Sequence, residues 1–209
     1  NRNERGFNEL RGYFIDEGGF LSSMDQPAEV SVLEQGPLFV KVAVRGKIGK
    51  FPFTQTIRLT QGEPRIDMSV KLDWIGSPRI GEPGIEFRAD NPRKAFYDDR
   101  YKLLVYLPTQ IANQQIYKDA PFDVCESRLE NTFFNRWDSI KHNIILNWVD
   151  VASKDNSCGL SLFTDHTTSY AHGKDFPLAL NVQYAGKGLW GRDYIIDRPT
   201  EISYALIPH

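Results

Sequence analysis

Cysteine is scarce in this chain. Cys125 and Cys158 are the only two among 209 residues, too few for a disulfide framework and too far apart for a cysteine metal site. They read as ordinary buried or half-buried thiols and leave the redox compartment open. An excess of one charge is also lacking. A formal net charge of −2 provides no electrostatic drive toward nucleic acid or an anionic membrane surface as main partner. No apolar run approaches the ~20 residues that cross a bilayer. The N-terminal NRNERGFNELRGYF has basic residues without the apolar run of a signal peptide. No amphipathic helix longer than about two turns is evident, and the best candidate, residues 112–118, is short and polar. The chain starts at Asn1, so a processed chain or part of a larger polypeptide is expected.

What is present is alternation. Ile66, Met68, Val70, Leu72 and Trp74 alternate with Asp67, Ser69, Lys71 and Asp73, giving a strand with one apolar and one solvated face. Phe51, Phe53, Ile57 and Leu59 do the same just before, with Gln55 interrupting the apolar face. Residues 61–65 (QGEPR) supply turn chemistry, so the pair predicts an antiparallel hairpin. Residues 38–45 read as another strand. Residues 102–107 (KLLVYL) are apolar on both faces and stop at Pro108, as a central covered strand does. Strands are also expected over 140–151, 159–163, 178–184 and 202–207. Residues 75–93, rich in Gly and Pro, read as a long loop within one sheet system. A chain of this size buries roughly 70% of the surface its unfolded form exposes. The expectation is all-β: one antiparallel sandwich or barrel domain over residues 1–209.

Several motifs recur in a fixed order: residues 8–14 (NELRGYF) before Gly18-Gly19, 62–74 (GEPRIDMSVKLDW), 101–108 (YKLLVYLP), 130–151 (ENTFFNRWDSIKHNIILNWVDV), 159–166 (GLSLFTDH) and 204–209 (YALIPH). That series resembles the C-terminal β-sandwich region of glycoside hydrolase family 38, the α-mannosidases. The resemblance implies a two-sheet supersandwich like that of galactose mutarotase. It also implies retaining hydrolysis of α-mannosides by an Asp nucleophile, with zinc held by His and Asp residues that begin with an H-x-D signature. In the family these lie in a separate N-terminal catalytic domain, the expected partner of this chain within one polypeptide. The expected role is then to support that domain and shape the cleft. Trp137 with Asn131 and Thr132, and likewise Trp148 and Asp150, read as packing residues and a turn cap.

The residues themselves offer little catalysis. His142, His166 and His172 are followed two positions on by Ile, Thr and Lys, so no H-x-D occurs. Asp165, His166, His172 and Asp175 cluster in sequence, but a polar loop after the strand ending at Thr164, with Asp165 capping its turn, accounts for them. Asp98 and Asp99 point to opposite sides of an extended chain. Glu126 and Glu130 lack an apolar pocket to raise one pKa. A retaining pair also needs carboxyl groups about 5–5.5 Å apart. Ser161 sits in a strand rather than a G-x-S-x-G elbow. Gly186-Lys187-Gly188 precedes no helix that would complete a phosphate loop. No catalytic or metal-binding residue is therefore assigned.

Carbohydrate contact remains, through ring stacking and hydrogen bonds with carboxylate, amide or guanidinium groups. Its candidates are Trp190, Arg192, Asp193 and Tyr194 in one loop, and Asp165, His166 and Tyr170 in the loop before it. Animal members of the family carry an Arg pair near the substrate in the preceding strand, where this chain reads Asn181-Val182-Gln183-Tyr184. Two other readings stand beside the leading one: a free-standing carbohydrate-binding module, and a mutarotase-like sugar epimerase that needs a His/Glu pair facing one cleft.

Overall fold

Side chains that alternate at period two need two layers to bury their apolar halves, and the chain builds two sheets. The structure, a computed structural model, describes residues 4–81, 102–128, 141–173, 176–187 and 193–209, with the backbone alone described at 141–143, 186–187 and 193. Among these the strands are β1 (Glu9–Phe14), β2 (Gly19–Ser22), β3 (Glu29–Gln35), β4 (Phe39–Ile48), β5 (Phe51–Thr60), β6 (Ile66–Leu72), β7 (Leu103–Leu107), β8 (Gln114–Ala120), β9 (Asp123–Glu126), β10 (Lys141–Ile145), β11 (Trp148–Ser153), β12 (Gly159–Thr164), β13 (Thr168–Gly173), β14 (Phe176–Gln183), β15 (Gly186–Lys187), β16 (Asp193–Tyr194) and β17 (Thr200–Pro208). A 3-10 turn at Ile15–Glu17 is the one helical piece among the described residues.

The strands form a six-stranded sheet, β10-β13-β14-β7-β1-β2, a nine-stranded sheet, β3-β4-β5-β6-β17-β12-β11-β8-β9, and the small pair β15-β16. Every pairing is antiparallel. The expected antiparallel two-sheet architecture is what the chain adopts. Between the sheets lies one core. Leu10, Phe14, Leu103, Val105, Leu107, Tyr170, Leu178 and Leu180 meet Phe51, Phe53, Val70, Leu72, Val149, Leu162, Ile202 and Leu206 across it. Phe14 stacks on Phe51 at 5.4 Å, and Phe51 meets Trp74 edge-on at 5.3 Å.

The β5–β6 hairpin forms as the alternation predicts, with Phe53 opposite Leu72 and Leu59 opposite Ile66. Gly62 closes its turn at φ 80°, in the region glycine tolerates best. Gln55, the break in the apolar face, is only 4% exposed and donates through Nε2 to the Asn8 carbonyl at 2.9 Å. Asn8 (φ 62°) also donates its backbone N–H to Tyr106 O at 2.8 Å and accepts the Tyr204 hydroxyl on its side chain. One residue thus ties β5 and β17 of the large sheet to β7 of the small one. β7 is central and buried at every position, as expected.

Four local expectations are corrected. Residues 112–118 hold no helix: β8 runs through them and pairs with β11. Residues 140–151 are not one strand. β10 belongs to the small sheet and β11 to the large one, and the chain changes sheet at Leu146-Asn147. The cause is Asp119 on β8. Its carboxylate accepts from Leu146 N at 2.9 Å, Asn147 N at 2.6 Å and Asn147 Nδ2 at 3.2 Å. Much of the polar loop expected after Thr164 is β13. Cys158 is exposed, whereas Cys125 is half-buried; both are free thiols. The Gly/Pro-rich loop expected over 75–93 is described only as far as Gly81, where Ile80 bridges Phe14 and Ala185.

Candidate functional site

Strand order in the large sheet lines up side chains that lie far apart in sequence. On its outer face, Lys41, Arg58, Asp67, Ala205 and Phe163 form one cross-strand row. Ala43, Thr56, Ser69 and Ser203 form the next. The small side chains of Thr56, Ser69 and Ser203 leave a groove of about 450 Å³, whose lining also includes Arg65, Ile207 and Asp165. Thr56 Oγ1 and Ser69 Oγ share a hydrogen bond of 2.6 Å on its floor. Arg65 Nε donates to Asp67 Oδ1 at 2.6 Å, and the Arg58 guanidinium stacks 4.2 Å from the Phe39 ring centroid. Hydroxyls, fixed charges and the Phe163 ring are groups that contact a polyhydroxylated ligand.

Of the residues proposed from sequence, Asp165 lies in this groove. His166 Nδ1 and Asp165 Oδ1 are 2.6 Å apart, with both side chains largely in solvent. Asp165 does not cap the turn. Thr164 does that work: its N–H donates to Asn147 O at 2.7 Å and its hydroxyl to His166 O at 2.8 Å. Tyr170 is no loop residue; it sits fully buried on β13 in the central core, where burial pushes its phenol up to about 12. Tyr194 is 42% exposed and packs edge-on against Tyr184 at 5.7 Å. Asp193 pairs by backbone with Lys187, while Trp190 and Arg192 lie outside the described residues. No hydrogen bond, ion pair or ring contact among the described residues joins Tyr194 to Asp165 or His166. The groove residues of β5, β6 and β17 were missed because each is an ordinary outward position on an alternating strand.

A second cluster has the composition of a nucleophilic triad without its connectivity. Asp150 Oδ1 accepts from Ser161 Oγ at 2.6 Å and lies 3.0 Å from His209 Nε2. Asp150 is therefore a cross-strand acceptor rather than a turn cap. The carboxylate stands between serine and imidazole, so no base is placed to take the serine proton. Of the paired carboxylates, Glu126 is an exposed β9 residue 3.6 Å from Arg128, and Glu130, Asp98 and Asp99 lie outside the described residues. Trp137, Asn131, Thr132 and Asp175 do too.

The zinc implied by the family resemblance finds no donor set among the described residues. Among the described residues no three His, Cys, Asp or Glu side chains group to hold an ion. His172 is 2% exposed, its Nδ1 has no hydrogen-bond partner among the described residues, and burial holds its imidazole down to about 4. Asp165 and His166 offer one carboxylate and one imidazole, short of the three or four ligands zinc requires. No chemical step is assigned to zinc on these residues. The backbone of β10 sets His142 opposite Ala171, and His172 faces Lys141 in register.

Comparison with known proteins gives the architecture a family. Residues 14–181 match the model of the glycosyl hydrolases family 38 C-terminal domain. No curated protein sequence matches the chain. Among solved structures, an alpha-mannosidase from Enterococcus faecalis V583 superposes with TM-score 0.70 at 12% identity, over 96% of this chain and 25% of that one. A glycosyl hydrolase family 38 protein from Enterococcus faecalis superposes with TM-score 0.66 at 12% identity, over 96% of this chain and 26% of that one. The chain thus spans about a quarter of either protein. At that identity the likeness shows the fold alone, whereas the sequence match covers most of the chain. The chain belongs to glycosyl hydrolase family 38, as its C-terminal domain.

Proposed function

We propose that this domain serves a retaining α-mannosidase, in which it supports a separate catalytic domain and shapes the rim of the cleft. The observation that carries the reading is the family match over residues 14–181. A single core running through both sheets suits a support role. The nucleophile, the acid/base carboxyl and the zinc site belong, in this reading, to the catalytic domain. Retention requires two carboxyl groups about 5–5.5 Å apart there.

The test is an assay of the 209-residue chain and of the complete polypeptide on an aryl α-mannoside, each with zinc added. The complete polypeptide is expected to turn over and to release α-mannose as first product, read by proton NMR. The short chain is expected to be inert. Turnover by the pure short chain, or none by the complete polypeptide, overturns the reading.

The groove on the large sheet favours a second reading, a carbohydrate-binding module. It predicts saturable binding of mannose or mannan that Asp165→Ala or Phe163→Ala weakens, and that Trp190→Ala abolishes if the neighbouring loop takes part. Absence of binding at millimolar sugar removes it.

A further inference from the structure

The two sheets differ in width, nine strands against six, and the surplus leaves core-facing side chains without a cover. Register places Val30 beside Val44, Val32 beside Val42 and Ile57, and Val40 beside Leu59. These positions share the face that carries Phe51 and Phe53 into the core. Along β5 that face is 0% exposed at Phe51 and 3% at Phe53, yet 52% at Leu59. Val32 is 58% exposed, Val30 67% and Leu38 70%. A contiguous apolar face of this kind marks an interaction surface. Its edge is guarded: β3 bulges between Val32 and Glu34 and carries the exposed charges of Glu29 and Glu34, which disfavours strand addition. The face is therefore open to packing while the edge is closed to pairing.

We infer that this overhang of β3, β4 and β5 is the seat of the remaining part of the family 38 polypeptide. The inference rests on the reading of the chain as one domain of such an enzyme. Chain length supplies the occupant, since the two family 38 structures carry about three quarters of their residues outside the region this chain covers. Domains of one polypeptide commonly meet over surfaces of mixed apolar and polar character. The face carries no charge at these positions: Glu29 and Glu34 pair in register with Arg45 and Lys41 and so lie on the outer side of the sheet, and the partner surface that Val30, Val32 and Leu59 meet is therefore apolar.

The experiment uses the complete polypeptide. Val32→Cys and Leu59→Cys are made one at a time, with Val124→Cys, 56% exposed on β9, as the open reference. Maleimide labelling is followed per peptide by mass spectrometry, which separates the native thiols. Labelling at 32 and 59 is expected to be at least tenfold slower than at 124. Equal rates in a polypeptide that hydrolyses α-mannosides overturn the docking surface and leave the functional reading standing. Protection in a polypeptide without that activity supports the surface and sinks the functional reading. Protection that disappears on dilution, together with a dimer in sedimentation velocity, assigns the face to a second copy and overturns the inference. Hydrogen exchange of residues 29–44 reports the same protection without any substitution.

Discussion

The two sheets use the same alternation to opposite ends. In the large sheet one side of each central strand meets the core and the other meets water, so Asp67, Ser69 and Lys71 alternate with Met68, Val70 and Leu72. In the small sheet both sides are covered at the centre. Leu104, Tyr106 and Ala179 point away from the main core yet are 0%, 1% and 0% exposed, with Phe176 packed on them. Arg11 lies 8% exposed beside the Phe20 ring, and burial is the first cause of its lowered pKa. Glu9 accepts the Ser22 hydroxyl at 2.5 Å and the Gly6 amide at 2.7 Å. The small sheet is covered on both sides at its centre, whereas the large one turns its outer side to water.

The sharpest way to break that contrast is to truncate an outward position of the small sheet. Leu104→Ala is expected to cost about 4 kcal/mol, because a fully buried leucine leaves a cavity as well as its transfer energy. In a domain of this size that is a fall of roughly 10 °C in melting temperature. A loss below about 1 kcal/mol would mean the outer face of β7 is only lightly covered.

His172 gives the next largest effect, and it appears as pH dependence. Burial holds its imidazole down to about 4 in the folded chain, against an ordinary value of about 6.5. Between those values the unfolded chain takes up a proton that the folded chain refuses, so stability rises with pH across the window. It is complete above about pH 6.5 and falls as pH drops toward 4, by about 3 kcal/mol in all. Urea unfolding at pH 7 and pH 4.5 measures it, and His172→Asn should flatten that part of the profile. An unchanged slope in the variant would place the titration elsewhere. Asp155, held down to about 2 by the hydroxyls of Ser153 and Ser157, acts only below this window.

Asp119 tests the link between the sheets. Asp119→Asn keeps the shape but replaces one acceptor of the two backbone amides with a donor, for an expected loss of about 2 kcal/mol. The urea midpoint reads it.

These residues also explain how much was legible in the sequence. The β5–β6 hairpin could be read because its pattern and its turn are both local. β7 could be read because Pro108 ends a run apolar on both faces. The sheet change at Leu146-Asn147 could not, because the carboxylate that fixes it lies 27 positions earlier. β8 was hidden because residues 112–118 are short and polar without alternation, and one of its two buried positions is the charged Asp119. β13 was hidden by the polar start Thr168-Ser169 before Tyr170. At the groove, Asp165 was legible as a polar residue after a strand. Its neighbours Arg58, Ser69 and Ser203 were not, since only the order β5-β6-β17-β12 brings them to its side.

The smallest effect belongs to the outer face of the large sheet. Arg65 and Asp67 form a close ion pair of 2.6 Å, but their side chains are 57% and 36% exposed. Water screens such a pair, and ordering two long side chains offsets much of the attraction, so Arg65→Ala is expected to cost at most ~0.5 kcal/mol. Raising the salt to 1 M, where the Debye length shrinks to about 3 Å, should reduce even that difference. A cost above about 1 kcal/mol, insensitive to salt, would show that the side chain works by packing along the groove rather than by charge. The outer face of the large sheet would then be partly closed, and the contrast with the small sheet would be one of degree.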